Sequence, residues 1–168
     1  LNTTIVDFVF EVSAKDCNKK VISLGSYFFV KLFEGKKKKQ TYIHKNLQKW
    51  GTTKDKRCEG AENIYETDII LVPININKQH WVMLYVDVEK RKIQYYDPYH
   101  NPRQLGMYCR TMERYLRDEY RNVFGAKDNT EWSIPHKSRC FEGLPLQPPN
   151  NSYDCGVFVS MFAYYLVN

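Results

Sequence analysis

The chain has 168 residues, 43% of them hydrophobic and 15% aromatic, enough to bury one core in a single domain and too apolar for a disordered protein. No run of about 18 apolar residues is present to span a membrane, and the start, LNTTIVDFVFEV, lacks the basic region and unbroken apolar stretch of a secretory leader. The formal charge of +6 is moderate, and much of it sits in Lys36 to Lys39, which reads either as a solvated loop or as a basic patch for nucleic acid or nuclear import. Aromatic residues fall in apolar patterns instead of alternating with basic ones, so no nucleic-acid face is expected. Cys17, Cys58, Cys109, Cys140 and Cys155 are odd in number, contain no C-x-x-C pair and lack zinc-site spacing. Free thiols in a reducing compartment, cytosol or nucleus, follow, and there the sequons at Asn2 and Asn150 carry no sugar.

In chain order, Ile5, Phe8, Val9 and Val12 recur at helical spacing behind Asn2 and Thr3, either of which can cap a first helix. SYFFVKLF predicts a second helix and TYIHKNLQKW a third, with Ile43, Leu47 and Trp50 on one face. Then the period changes. DIILVPI, WVMLYVDV and KIQYYD are short, apolar and rich in branched and aromatic residues, and they predict strands. A long amphipathic helix carries Leu105, Tyr108, Met112, Tyr115 and Leu116, and the segment from Asn122 to Asn151 reads as loops around a short strand. No repeat or low-complexity linker divides the chain, so residues 1–168 are expected to form one domain of the α+β class.

The stretch NNSYDCGVF leads into a closing helix, with Val157, Phe158, Met161, Phe162, Tyr165 and Leu166 as its expected core stripe and Asp154 or Ser152 as its cap. Cys155 then occupies the first turn, where unpaired amide donors and the helix dipole favour a thiolate. A buried small hydrophobe is the competing reading, and a histidine partner separates the two. Of the four histidines, His44 lies on the expected third helix, His100 in a polar turn and His136 in an irregular segment. His80 alone begins a buried strand. An even hairpin loop centred between Glu89 and Lys90 sets Val82 opposite Asp97, which makes His80 a diagonal neighbour of Asp97 at roughly 7 to 8 Å between backbones. Such an aspartate fixes the imidazole tautomer and leaves the other nitrogen for a thiol. A slip of one residue puts the two side chains on opposite faces, and a plain surface ion pair remains the alternative.

These residues together, HW before an apolar strand, YYDP closing the next, and a glutamine and asparagine ahead of DCGVF, resemble the SUMO (sentrin) proteases. That family comprises papain-like cysteine proteases of ubiquitin-like modifiers and is distantly related to the adenovirus protease. LNTTIVDF and DIILVPININKQHW extend the likeness over nearly the whole chain. The resemblance implies a papain-like fold with a mostly antiparallel central sheet flanked by helices and the nucleophile at a helix N-terminus. It implies Cys155 as nucleophile, His80 as general base and acid, Asp97 as its orienting partner and Gln147 as oxyanion donor. Trp81, Asn2 and Gly156 are implied substrate contacts, with Trp81 over the Gly-Gly tail of the modifier. The implied activity is cleavage after the Gly-Gly of SUMO by a monomer without metal or cofactor, in nucleus or cytoplasm.

Several positions depart from the family. Gln147 lies two residues further from the cysteine than usual, with Pro149 in the expected place, and Pro149 has no N–H to donate. Thr3 replaces an aspartate, the tryptophan that precedes LND in the family is not in this sequence, and a further helix common after the cysteine helix is not in it either. Alternatives are a protease of the same fold acting on the neddylation modifier, ubiquitin or a polyprotein, an acetyltransferase reusing the three residues, and a module that binds a modifier without cutting it.

Overall fold

The computed structural model describes residues 1–35, 40–47, 50, 61–134 and 145–168; the lysine run Lys36 to Lys39, Cys58, His136 and Cys140 lie outside the described residues. Helix α1 (Thr3–Lys15) opens the chain, and Asn2 caps it by accepting from the Ile5 N–H at 3.0 Å. Strand β1 (Val21–Ser23) follows, then the one-turn α2 (Phe28–Lys31) and a small ribbon of β2 (Phe33–Glu34) with β3 (Thr41–Tyr42). Strands β4 (Ile69–Ile76), β5 (His80–Asp87) and β6 (Lys92–Tyr96) precede the long α3 (Leu105–Phe124), and α4 (Cys155–Val167) closes the domain. The main sheet runs β1-β4-β5-β6, with β1 parallel to β4 and the other pairs antiparallel.

Alternation along the strands divides the core into two layers. Val82, Leu84, Val86, Ile93 and Tyr95 face α2 and α3, where Phe28, Met112, Tyr115 and Leu116 are fully buried. Trp81, Met83 and Tyr96 face α1 and α4, where they meet Val6, Phe10, Val159 and Phe162. Thus the sheet is sandwiched between helices, an α+β architecture with one parallel pair at its edge.

The structure corrects four local expectations. Among its described residues TYIHKNLQKW is not an α-helix: Thr41 and Tyr42 pair with Phe33 and Glu34, and His44–Leu47 form a 3₁₀ segment. The second helix shrinks to four residues because Phe33 leaves it for that ribbon. In α1 the stripe Ile5, Phe8 and Val12 faces out, Phe8 being 63% exposed, while Phe10 is 0% exposed on the sheet. Full burial of such a ring stabilises by about 2–3 kcal/mol and a mostly exposed one contributes little, so the Val6, Phe10 and Ala14 face sets the docking angle. In α4 the core face is Gly156, Val159, Phe162, Ala163 and Val167, whereas Val157 and Tyr165 are exposed. This helix is apolar nearly all round, so periodicity leaves its phase open.

The β5–β6 hairpin sets the register on which the site depends. Its loop is the even one, Val88 to Arg91, and Met83 pairs with Tyr96 and Asp87 with Lys92. Arg91 takes a positive φ of 49° and its guanidinium holds the buried Asp128 at 2.6 Å, which pins the turn from outside the sheet. Extending the pairing by one residue sets Val82 opposite Asp97 and so brings His80 and Asp97 onto one face.

Candidate active site

Three elements converge at one end of the sheet: β5 begins there with His80, β6 ends there one residue before Asp97, and α4 begins there with Cys155. His80 and Asp97 belong to the α3 side by register, while Cys155 arrives with the α1–α4 layer. They meet because the strand ends leave no sheet between them. Nε2 of His80 lies 2.8 Å from Oδ1 of Asp97, which is 2% exposed. Nδ1 is left for Cys155, whose thiol hydrogen-bonds His80 and is 4% exposed. The backbone N–H of Trp81 donates to Cys155 Sγ at 3.4 Å, and that of Gly156 also points to the sulfur.

These contacts set the charges. Burial alone would push the Cys155 thiol up, but the His80 hydrogen bond, the Trp81 and Gly156 amides and the His80 charge together hold it below its ordinary 9.0. Burial likewise works against His80 protonation, yet the hydrogen bonds to Asp97 and Cys155 and the charges of both raise it from 6.5 to about 9. Both shifts run in the direction that favours a thiolate beside an imidazolium. Asp97 is itself held by the Tyr99 N–H at 2.8 Å and the Tyr95 hydroxyl at 3.4 Å. Among the described residues no group of three His, Cys, Asp or Glu side chains is arranged to hold a metal ion, and no helix is long and apolar enough to cross a membrane.

The remaining expected residues sort differently. Trp81 is 4% exposed, and its indole N–H donates to the Leu1 carbonyl at 3.2 Å. Gly156 is buried against both, for a Cβ there would lie 3.0 Å from Leu1 Cβ and 3.2 Å from Trp81 Cδ1. Asn2 spends its side-chain oxygen on the α1 cap. Asp154 occupies the N-cap position of α4 but its side chain caps nothing, because its carboxylate takes the Asn151 amide at 2.7 Å; Ser152 makes no cap either and is exposed. Gln147 is drawn in to 3% exposure, where its amide nitrogen donates to the Asn151 carbonyl at 2.6 Å and the Tyr99 hydroxyl at 3.0 Å. Both of its N–H groups are thus engaged, and its Oε1 is buried with no partner among the described residues.

Two residues at the site have roles that the sequence motifs did not assign. Asn151 orders the turn before Cys155, its Oδ1 accepting from the N–H groups of Tyr153 and Asp154. Tyr99 stacks on the His80 ring at 5.1 Å and 20° and bonds the Asn151 carbonyl through its hydroxyl at 2.5 Å. An asparagine in a polar turn could have been flagged as an Asx turn, whereas the Tyr99 stack joins segments that no local pattern connects.

Over residues 1–168 the chain matches the family described as the Ulp1 protease family, C-terminal catalytic domain. It is 26% identical over 167 residues to Ubiquitin-like-specific protease 1 of Saccharomyces cerevisiae, which covers 98% of this chain and 23% of that protein. To Sentrin-specific protease 2 of Homo sapiens it is 31% identical over 150 residues, covering 83% of this chain and 24% of that protein. The chain thus spans less than a quarter of the length of these curated relatives. Among solved structures, the C-terminal Ulp1 protease domain in complex with Smt3, the yeast ortholog of SUMO, superposes with a TM-score of 0.72 at 23% identity, over 99% of this chain and 65% of that one. SUMO protease Ulp1 with its catalytic cysteine oxidized to a sulfenic acid gives 0.74 at 23% identity, over 99% of this chain and 66% of that one. At that identity the likeness establishes the shared fold.

Proposed function

The chain belongs to the Ulp1 protease family, and on that premise we propose that it is a cysteine protease that cleaves after the C-terminal Gly-Gly of SUMO, with Cys155, His80 and Asp97 as its triad. One observation carries the reading: His80 bonds Asp97 through Nε2 at 2.8 Å while its other side meets the Cys155 thiol. The Cys155 thiolate attacks the carbonyl carbon of the terminal glycine, forming a C–S bond as the carbonyl electrons move to oxygen. Collapse of this intermediate expels the lysine amine, which takes the proton from the His80 imidazolium. Water, deprotonated by the now neutral imidazole, then hydrolyses the thioester and returns the thiol. Asp97 keeps the imidazole oriented throughout.

The oxyanion draws first on the Cys155 N–H, at the helix start where donors have no intrahelical acceptor. Gln147 joins only by giving up Asn151 or Tyr99. Trp81 and Gly156 line the approach of the Gly-Gly tail, where any side chain would meet the wall that Leu1 and Trp81 form. Asn2 contacts the substrate with its side-chain amide nitrogen, its oxygen being held by the α1 cap. Residues 1–168 act as one catalytic domain, a monomer needing no cofactor, in nucleus or cytoplasm; the SUMO named with the similar structure and the sentrin relatives support the choice of modifier.

The test is labelling with SUMO, the neddylation modifier and ubiquitin, each carrying a C-terminal electrophile, against the wild type and Cys155→Ala. A SUMO adduct lost in the variant is expected. An adduct that persists without Cys155 removes the assignment, and selective reaction with another modifier reassigns the substrate.

A further inference from the structure

Tyr99 touches both halves of the site from a surface position. Its ring lies nearly parallel to the His80 imidazole, 5.1 Å away at 20°. Its N–H donates to Oδ1 of Asp97 at 2.8 Å, the same oxygen that His80 Nε2 engages at 2.8 Å. Its hydroxyl donates to the Asn151 carbonyl at 2.5 Å and accepts from Gln147 Nε2 at 3.0 Å. One residue earlier, the Pro98 carbonyl accepts the Gln147 N–H at 3.2 Å. The three residues from Asp97 to Tyr99 therefore brace the imidazole, the orienting carboxylate and the loop that leads into Cys155.

We propose that Tyr99 is a positioning residue for the acyl transfer, its ring fixing the plane of the His80 imidazole and its hydroxyl fixing the Asn151 and Gln147 loop that carries Cys155. The inference rests on the protease reading above. Tyr99 is 39% exposed, so its ring fills no core and its removal opens no cavity there. What its loss frees is rotation. An imidazole stacked on one face and bonded at Nε2 has its Nδ1 aimed in one direction, toward Sγ; without the stack only the Asp97 bond and the Cys155 contact restrain the ring. Without the hydroxyl, Gln147 keeps only the oxygens of Asn151 as acceptors and the Asn151 carbonyl loses one of its two donors, which loosens the turn at the start of α4.

Tyr99→Phe keeps the ring and removes the hydroxyl, and Tyr99→Leu removes both, so the two roles separate. For each variant of the full chain the measurements are the Tm, kcat and KM on a SUMO-linked fluorogenic substrate, and the pH dependence of Cys155 alkylation by iodoacetamide. For Tyr99→Phe the expected result is an unchanged alkylation midpoint with kcat about tenfold lower and KM nearly constant. For Tyr99→Leu the midpoint moves up toward the ordinary value of this thiol and kcat falls about 100-fold. A folded Tyr99→Leu variant with wild-type midpoint and kcat overturns the proposal, and if that variant does not fold, an unchanged kcat in Tyr99→Phe does so. A wild type that itself shows an ordinary thiol midpoint defeats the protease reading and this inference with it, whereas a low wild-type midpoint that both variants keep, with kcat intact, defeats Tyr99 alone.

Discussion

The backbone N–H of Trp81 lies 3.4 Å from the Cys155 sulfur, so the residue after the histidine on β5 is also a donor to the thiol that opens α4. Strand and helix are thereby locked at the point where chemistry is proposed. The arrangement makes the charge state of the pair the first property to measure.

Activity requires the thiolate and the imidazolium together. Cys155 lies below its ordinary value, so kcat/KM rises with pH as the thiol loses its proton at a pH below 9.0. His80 is raised to about 9, so activity falls again as the leaving-group proton is lost near that pH. A bell-shaped profile with its alkaline limb near pH 9 is expected, its two midpoints belonging to the coupled pair. An alkaline limb near pH 6.5 would contradict the environment described for His80.

Asp97→Asn keeps the size of the side chain and removes its charge. The amide no longer fixes the tautomer with Nδ1 free for the thiol, nor stabilises the imidazolium. A loss in kcat/KM of about 10⁴-fold is expected by the logic of triads in general. NMR of the His80 ring should show its midpoint falling from about 9. A loss under tenfold would show that the 2.8 Å contact is an ion pair without a catalytic role.

Gln147→Ala removes a buried amide that braces Tyr99 and Asn151. The expected cost is about 1–2 kcal/mol in stability by urea titration, and about tenfold in kcat through the loosened loop. An open oxyanion donor would give a different signature, a drop of about 10²–10³-fold in kcat with stability unchanged. That result would mean the amide exchanges its partners for the oxyanion when substrate binds.

Gly156→Ala introduces a Cβ at 3.0 Å from Leu1 Cβ and 3.2 Å from Trp81 Cδ1, so those side chains must shift. Both line the proposed passage for the Gly-Gly tail. Reaction with a SUMO probe should slow about tenfold or more, while alkylation by iodoacetamide, which needs no passage, changes little. Equal slowing of both reagents would place the effect on the thiol instead.

Much of the site was legible because its parts obey local rules. The alternation in WVMLYVDV and KIQYYD and the even loop between them set His80 and Asp97 on one face, and the observed pairing of Met83 with Tyr96 has that parity. The period of α3 was equally plain, with Leu105, Met112, Tyr115 and Leu116 all buried. Short elements were not: β1, β2 and β3 have two or three residues each and exist only because a partner strand holds them.

By itself, then, the sequence determined the hairpin, its register and a cysteine at the head of an apolar helix, since each follows from side-chain period and turn length within a few dozen residues. Tertiary structure alone decided which faces of α1 and α4 meet the sheet, because both helices carry apolar residues on more than one side and only burial against Trp81, Met83 and each other selects among them. It also decided that Asp154 serves Asn151 instead of the helix end, that Gln147 is engaged, and that Tyr99 covers His80. Hydrogen bonds and ring contacts of this kind depend on where distant segments come to rest, and only packing of the whole chain sets that.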